Sequence, residues 1–396
     1  MASANTVVHS ESHMALRVAF IGGGSGGHLL PAISIAHALL RQNSDSRFLF
    51  LTSHRAIDHK VLSVSGLPDT ASRSLAYVRL SSAGGVLSSA GQLWSHWKSF
   101  RQARRALKSF QPQVVVGLGA LASVPGILAA SRMGLPIVLL EQNCLPGKAT
   151  RVLASRARLT VFGLPVPPER SCLWPTPATT CGTPVRAEIG CMANVPSTQV
   201  AERRRILILG GSQGSESINR IVSNALCAQR PNVEEWEIVH QTGEAQASAV
   251  QKKYLEHRIA ARVTAFLPEM GVELASAGIV ISRAGAVTIQ ELACAGIPAI
   301  LIPLSGAAEN HQALNAQLLE QIGAAVVVDE RSPEASVLCA SSLSRLVADS
   351  ETRHRMASAA RTLAAPDAAT EIAGLLHDTA RKNVVRPHDS VRQNAK

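Results

Sequence analysis

Two glycine clusters stand where a buried strand would end and a helix begin. Gly22-Gly23-Gly24-Ser25-Gly26-Gly27-His28 follows the apolar run at 16–21, and Gly210-Gly211-Ser212-Gln213-Gly214-Ser215 follows the run at 205–209. An apolar run of this length with a helix close behind reads as a strand buried on both faces of a parallel sheet. Glycines let backbone N–H groups approach a bound group, and the helix N-terminus behind them favours negative charge. The chemistry is phosphate binding, and the chain carries it twice. His28 closes the first cluster just before Pro31, a natural first-turn residue. An imidazole there either caps the local fold or, near its reference pKa, takes a proton from a hydroxyl at neutral pH.

The second half offers further groups. Ser282-Arg283-Ala284-Gly285-Ala286-Val287-Thr288-Ile289-Gln290-Glu291 reads as a loop entering a helix, with N–H groups for phosphate. Glu291 would lie in the first turn, where the helix dipole stabilises a carboxylate, and could equally accept two hydrogen bonds from a ribose diol. Pro303 to Asn315 is another strand-to-helix loop, whose His311, Gln312 and Asn315 could read sugar hydroxyls or be ordinary exposed helix residues. No Asp-x-Asp occurs. The sequence therefore asks for no metal, although Mg²⁺ stays open; a diphosphate would be neutralised by glycine-loop amides, a helix N-terminus and a basic residue such as Arg186. The first cluster also satisfies G-x-G-x-x-G, but the expected second strand ends Leu51-Thr52-Ser53-His54-Arg55 without the acid that NAD wants. An NADP-linked oxidoreductase would leave the second cluster unexplained.

Elements alternate as in a doubly wound α/β chain. The patterns predict strands at 17–21, 47–52, 113–117 and 136–140, and helices at 31–42, 92–110 and 121–133. A proline-rich passage at 165–184 leaves this half, and 190–203 reads as an irregular linker. Strands restart at 206–209 and recur near 236–240, 262–265, 278–281, 298–302 and 324–328. Helices are expected after Ser215, Thr288 and Asn310. A last helix, at about 366–381, is expected to return to the first half. The expected division is 15–185 and 204–365, with 1–14 and 382–396 disordered.

With 396 residues, 46% of them hydrophobic and 17% charged, the chain is long enough for two cores and wrong for a disordered protein. Seven cysteines form no Cys-x-x-Cys pair, which argues against a zinc or disulfide framework and for a reducing compartment. The first fifteen residues lack a signal-peptide core, and no apolar stretch reaches the roughly 20 residues of a membrane span. A soluble protein on the cytoplasmic side is expected. The net charge of +11 comes with only two tyrosines and seven phenylalanines. No aromatic-interleaved basic ribbon suits nucleic acid. Instead, positions 93–108 combine Leu93, Trp97, Phe100, Ala103 and Leu107 at helical spacing with Lys98, Arg101, Arg105 and Lys108, and Trp94 at the start. This amphipathic helix packs on the core, meets an anionic membrane surface, or does both at its two ends.

Taken together, several motifs in order resemble the MurG family of bacterial peptidoglycan N-acetylglucosaminyltransferases, glycosyltransferase family 28. They are Gly22–Ala32, Glu141-Gln142-Asn143, Gly182-Thr183-Pro184-Val185-Arg186, Gly210–Ser215, Arg283–Glu291, Ala295-Gly296-Ile297-Pro298 and Gln312-x-x-Asn315. The resemblance spans about 17–380. It implies two Rossmann-like domains facing each other across a cleft, the GT-B fold, with UDP-GlcNAc held mainly by the second. On its pattern the Leu267 backbone would meet uracil, and Glu291 the ribose. Ser212, Arg186 and Ala286, Val287, Thr288, Ile289 and Gln290 would surround diphosphate and sugar, with Gln312 on GlcNAc hydroxyls. Ser25, Gly26, Gly27 and Asn143 would complete the donor site. His28 is the candidate base for the C4 hydroxyl of MurNAc in an undecaprenyl-diphosphate-linked pentapeptide acceptor. The resemblance also implies a peripheral position on the cytoplasmic side of the inner membrane, with Trp94, Trp97, Phe100 and Arg101 as a patch toward it. Other cell-wall synthesis proteins would be partners, and nucleic acid would not. One departure stands out: where the family has Gly-x-Gly-Gly-Tyr-x-Ser, this chain has Gly117-Leu118-Gly119-Ala120-Leu121-Ala122-Ser123. Two rivals remain at this level: another inverting GT-B glycolipid transferase, and a silent UDP-sugar-binding scaffold.

Overall fold

The computed structural model describes residues 14–23, 26–53, 56–63, 65–67, 89–167, 174–211, 214–229, 231–306 and 310–384. Among them, two six-stranded sheets form, parallel throughout. The first runs β2-β1-β3-β4-β5-β6, from β1 (Arg17–Ile21), β2 (Arg47–Leu51), β3 (Val114–Gly117), β4 (Ile137–Glu141), β5 (Leu159–Phe162) and β6 (Ala178–Thr180). The second runs β12-β11-β10-β7-β8-β9, from β7 (Arg205–Leu209), β8 (Glu237–Gln241), β9 (Arg262–Thr264), β10 (Ile279–Ser282), β11 (Ala299–Leu301) and β12 (Ala325–Val327).

Each half begins on an inner strand, builds outward to one side, then returns to the other. The order therefore reverses between β1 and β3, and again between β7 and β10. Ligands of such sheets bind beyond the carboxyl ends of the strands at that reversal. Gly22 and Gly23 lie there after β1, and Gly210 and Gly211 after β7.

Helices cover both faces. The first half carries α1 (Gly26–Gln42), α2 (Ala56–Ser63), α3 (Ser89–Phe110), α4 (Val124–Arg132) and α5 (Lys148–Leu153). The short α6 (Ala187–Gly190) and α7 (Ser197–Ala201) connect the halves. The second half carries α8 (Glu216–Gln229), α9 (Ala247–Glu256), α10 (Met270–Ser276), α11 (Ala286–Ala295), α12 (His311–Gln321), α13 (Ala335–Ala348) and α14 (Ser350–Arg361). The last helix, α15 (Ala368–Val384), packs on α1.

Period-two alternation in β1 divides its side chains between two layers. Val18 and Phe20 join Phe48, Phe50, Leu39, Ile372 and Leu376 under α1 and α15. Ala19 and Ile21 join Leu49, Leu51, Ala103, Leu107 and Ile127 under α3 and α4. Each large side chain buried this way contributes about 1.5–3 kcal/mol. Because α15 belongs to the first half's core, the chain crosses between halves twice. The crossings touch at Gly182, where a Cβ would lie 2.1 Å from that of Ala365. Only glycine lets the two backbones pass so closely.

The structure differs from the sequence patterns in several places. Helix α1 starts at Gly26, so Pro31 lies inside it rather than in its first turn. Lacking an N–H, Pro31 leaves the Gly27 carbonyl without its helical partner. The 121–133 helix divides into a 3-10 turn at Leu121–Ser123 and α4. The supposedly irregular 190–203 holds a 3-10 turn at Cys191–Asn194 and α7, their polar faces turned outward around buried Ile189, Val200 and Ala201. Helix α15 continues to Val384, beyond the expected start of a disordered tail at 382. The expectations for 1–13 and 385–396 lie outside the described residues.

Candidate functional site

The carboxyl edges of the two sheets meet at one cleft. Asn143, just beyond β4, accepts a hydrogen bond on Oδ1 from Asn315 Nδ2 of α12 at 3.0 Å. The same Asn315 amide donates to the Ala284 carbonyl at 3.2 Å, and its Oδ1 accepts from Cys144 N at 3.2 Å. Asn315 is fully buried, so one carboxamide joins the two halves and the loop that enters α11.

On the first-half wall, Glu141 ends β4 nearly buried, with both oxygens engaged. Oε1 accepts from Asn143 N at 3.2 Å and Nδ2 at 3.1 Å; Oε2 accepts from Gly147 N at 3.0 Å and Thr150 Oγ1 at 2.7 Å. His28 lies in the opening turns of α1. Burial lowers its pKa below the ordinary imidazole value, while the charges of Glu141 and Asp58 act the other way. Asp58, fully buried on α2, accepts from Ser53 N at 3.1 Å and Ser53 Oγ at 2.6 Å. A Cβ on Gly23 would sit 2.6 Å from Asp58 Oδ2, so the glycine loop rests on this carboxylate. A neutral imidazole beside two carboxylates is a suitable proton acceptor: burial keeps it uncharged, and the acids stabilise the imidazolium once formed.

Beside this wall the 117–123 loop packs under Gly22, whose Cβ would lie 2.9 Å from Leu118 Cβ. Ala120 stands where the family pattern has glycine, and its φ of 59° and ψ of 157° belong to a region that is essentially glycine-only. Ser123 Oγ, donating to the Ala120 carbonyl at 2.8 Å, holds the turn.

On the second-half wall, α11 starts at Ala286 behind Gly285, with no side-chain cap and no acid in its first turn; Glu291, expected there, falls in the second turn because the helix begins five residues before it. Its first N–H groups are thus available to an anion. Arg186 and Glu291, expected on different parts of a donor, are joined to each other: Arg186 Nη2 donates to Glu291 Oε1 at 3.1 Å. Burial raises the Glu291 pKa, and Arg186 opposes that shift. Arg186 Nε is buried and finds no hydrogen-bond partner among the described residues. Gln290 is turned away from the cleft. Its Oε1 accepts from Thr183 N at 3.2 Å and its Nε2 donates to the Leu363 carbonyl at 2.8 Å, one bond on each crossing between halves. Only its backbone is left for the cleft, because its carboxamide satisfies the two passing chains.

Of the other expected residues, Ala286, Val287 and Ile289 are buried on α11, with Thr288 half-buried. Leu267 is buried in the second-half core. Gln312 closes its own loop, accepting from Leu304 N at 3.0 Å. Gly26 and Gly27 open α1. Ser25 and Ser212 lie outside the described residues. On α3, Ala103 and Leu107 are fully buried and Phe100 is half-buried. Trp97 is 52% exposed, with the Arg101 guanidinium 4.5 Å from its ring centroid. Nothing is described of the Trp94 side chain. Phe266, beside Leu267 and 46% exposed, was not singled out by the sequence; a phenylalanine two residues past a short strand carries no signal of its own. Among the described residues no three His, Cys, Asp or Glu side chains cluster as metal ligands.

Two parallel doubly wound halves, with their glycine-loop edges meeting at a shared cleft, define a GT-B glycosyltransferase. The chain belongs to glycosyltransferase family 28, whose N-terminal domain matches residues 18–161 and whose C-terminal domain matches 205–372. It is 34% identical over 365 residues to the UDP-N-acetylglucosamine–N-acetylmuramyl-(pentapeptide) pyrophosphoryl-undecaprenol N-acetylglucosamine transferase of Coxiella burnetii strain Dugway, covering 90% of this chain and 96% of that one. The protein of the same name from Stutzerimonas stutzeri is also 34% identical, over 93% and 99% of the two chains. Among solved structures, Acinetobacter baumannii MurG superposes with a TM-score of 0.71 at 25% identity, over 92% of this chain and 99% of that one.

Proposed function

We propose that this chain transfers N-acetylglucosamine from UDP-GlcNAc to undecaprenyl-diphosphate-linked MurNAc-pentapeptide. The observation that carries this reading is the cleft itself: a glycine-loop edge on each half, with a half-buried imidazole on one and an uncapped helix with an arginine–carboxylate pair on the other. Relatives matched over nearly their whole length bear that activity in their names.

In the proposed step the C4 hydroxyl oxygen of MurNAc attacks the anomeric carbon of GlcNAc. The bond from that carbon to the diphosphate oxygen breaks, and UDP leaves with the electron pair. His28 takes the hydroxyl proton, and the product is β-1,4-linked with inversion. The glycine-loop amides, the α11 N-terminus and Arg186 would stabilise the charge growing on UDP. Glu291 would exchange part of its pairing with Arg186 for the ribose diol, and Arg186 would turn toward phosphate. The Leu267 backbone and the Phe266 ring would border uracil, with Gln312 at the sugar. Holding both substrates in one cleft supplies much of the rate gain.

The same reading places the protein at the cytoplasmic face of the inner membrane, where its lipid acceptor would lie. No helix among the described residues is long and apolar enough to cross a membrane. Support comes from exposed Trp97 amid exposed Lys98, Arg101, Arg104, Arg105 and Lys108, an apolar side chain within a basic face.

The test is UDP release from UDP-GlcNAc, with and without a soluble polyprenyl-diphosphate-MurNAc-pentapeptide analogue. Acceptor-dependent release is expected. Donor binding without release would point to another acceptor or to a silent scaffold. Sedimentation with phosphatidylglycerol vesicles, lost in Trp97→Ser, would support the membrane reading; sedimentation unchanged by that substitution would overturn the role of Trp97.

A further inference from the structure

Glu330 lies just past β12, the edge strand of the second sheet, and its side chain is only 7% exposed. It gathers groups from three other strand ends. Ser305 N, in the loop after β11, donates to Oε1 at 2.5 Å, and Ser305 Oγ donates to the same oxygen. Arg283 Nη1, in the loop after β10, donates to Oε2 at 2.8 Å. Ser217 Oγ, at the start of α8 behind the β7 glycine loop, donates to Oε2 as well.

Arg283 extends the same web. Its Nη1 also donates to the Ile302 carbonyl at 3.0 Å, and its Nη2 donates to Ser215 Oγ at 2.8 Å and Ser217 Oγ at 2.7 Å. The strand order is β12-β11-β10-β7, so one carboxylate and one guanidinium bind together the carboxyl ends of four adjacent strands. Three of those ends lead into the helices α8, α11 and α12 that border the cleft.

We infer that Glu330 is a positioning residue for the donor site. It fixes the spacing between the β7 glycine loop, the entry to α11 and the loop before α12, so that their N–H groups converge on one diphosphate. It also pairs the Arg283 charge, leaving Arg186 and the backbone amides to meet the phosphates. The inference rests on the donor reading above. Burying so many polar groups is tolerable because each finds a partner; a carboxylate that accepts several hydrogen bonds also fixes direction, which a neutral contact does less firmly.

The experiment compares wild type with Glu330→Gln, Glu330→Asp and Ser305→Ala, using calorimetric UDP affinity, steady-state KM for each substrate, and thermal stability. Glu330→Gln should weaken UDP binding and raise donor KM about tenfold, the worth of one charge-assisted hydrogen bond, with acceptor KM unchanged. Ser305→Ala should give a smaller shift of the same kind, which keeps the test usable if the glutamine variant does not fold. Glu330→Asp, retaining charge but shortened, should recover part of the loss. Unchanged UDP affinity in both Glu330→Gln and Ser305→Ala overturns the inference. So does an equal rise in both KM values, which would mark general damage. If wild type itself neither binds UDP nor turns over UDP-GlcNAc, the donor reading fails with it; a wild type that binds beside variants that bind equally well fails the positioning role alone.

Discussion

The two halves share a plan, a glycine loop beyond the first strand of a parallel sheet, yet furnish it differently. The first half surrounds an imidazole with two buried carboxylates, each engaged by neutral hydrogen-bond donors such as Thr150, Gly147 and Ser53. The second half pairs its carboxylates with arginines, Glu291 with Arg186 and Glu330 with Arg283. A carboxylate held by neutral donors keeps its charge available to a neighbour and so tunes a proton acceptor. A carboxylate paired with arginine holds the cation in place and sets where an anion can sit. On the proposed reading, one scaffold would thus supply proton chemistry on one wall and anion binding on the other.

The sharpest break of this comparison is His28→Ala. It should lower the transfer rate at least about 100-fold, the usual worth of a positioned base, and leave UDP affinity within about twofold. Single-turnover rates and calorimetry would separate the two effects; a matching loss of UDP binding would mean the division of labour is wrong. The pH profile sharpens the point. Burial makes His28 harder to protonate in the fold than in the open chain. Its neutral form therefore persists where a free imidazole is already charged, and the acid limb of kcat should fall below about pH 6.5. A limb at or above that value would assign the titration to another group.

Next in size, Glu291→Ala should weaken UDP binding by about 1–3 kcal/mol, since it removes a charged partner and leaves Arg186 unpaired. Acceptor KM should not move. Unaltered UDP affinity would remove Glu291 from the donor wall. The smallest effect expected is a gain. Ala120→Gly should stabilise the protein by about 1 kcal/mol, read from denaturant midpoints, because glycine adopts the Ala120 backbone angles without a Cβ clash. A destabilised variant would show that Ala120 is not strained.

The strands behind the glycine clusters were legible because a run such as Val-Ala-Phe-Ile before glycine has few other stable uses. Strand β6, Ala178-Thr179-Thr180, was not: it is short, lies at the sheet edge and leaves Ala178 and Thr180 exposed, so no apolar pattern marks it. His28, Glu291 and Arg186 could be picked out by residue type and position beside a loop. Their partners could not. Arg186 and Glu291 are 105 residues apart, and Gln290 looks like another cleft residue until the two crossings that occupy its carboxamide are seen. The Glu330 web is hidden for the same reason, since serines, an arginine and a glutamate scattered over four strand ends have no spacing signature. Short-range chemistry is written along the chain, whereas long-range pairing depends on which loops the sheet order brings together.

The return of α15 to the first half has a consequence for the growing chain. Ala369, Ile372, Ala373, Leu376 and Ala380 complete the layer that covers Phe20, Phe48 and Phe50. During synthesis that layer stays open until some two hundred further residues have been added, while the second sheet and its helices can close as soon as α14 emerges. The half translated first is finished after the second, and on the ribosome its aromatic floor waits for a lid encoded far downstream.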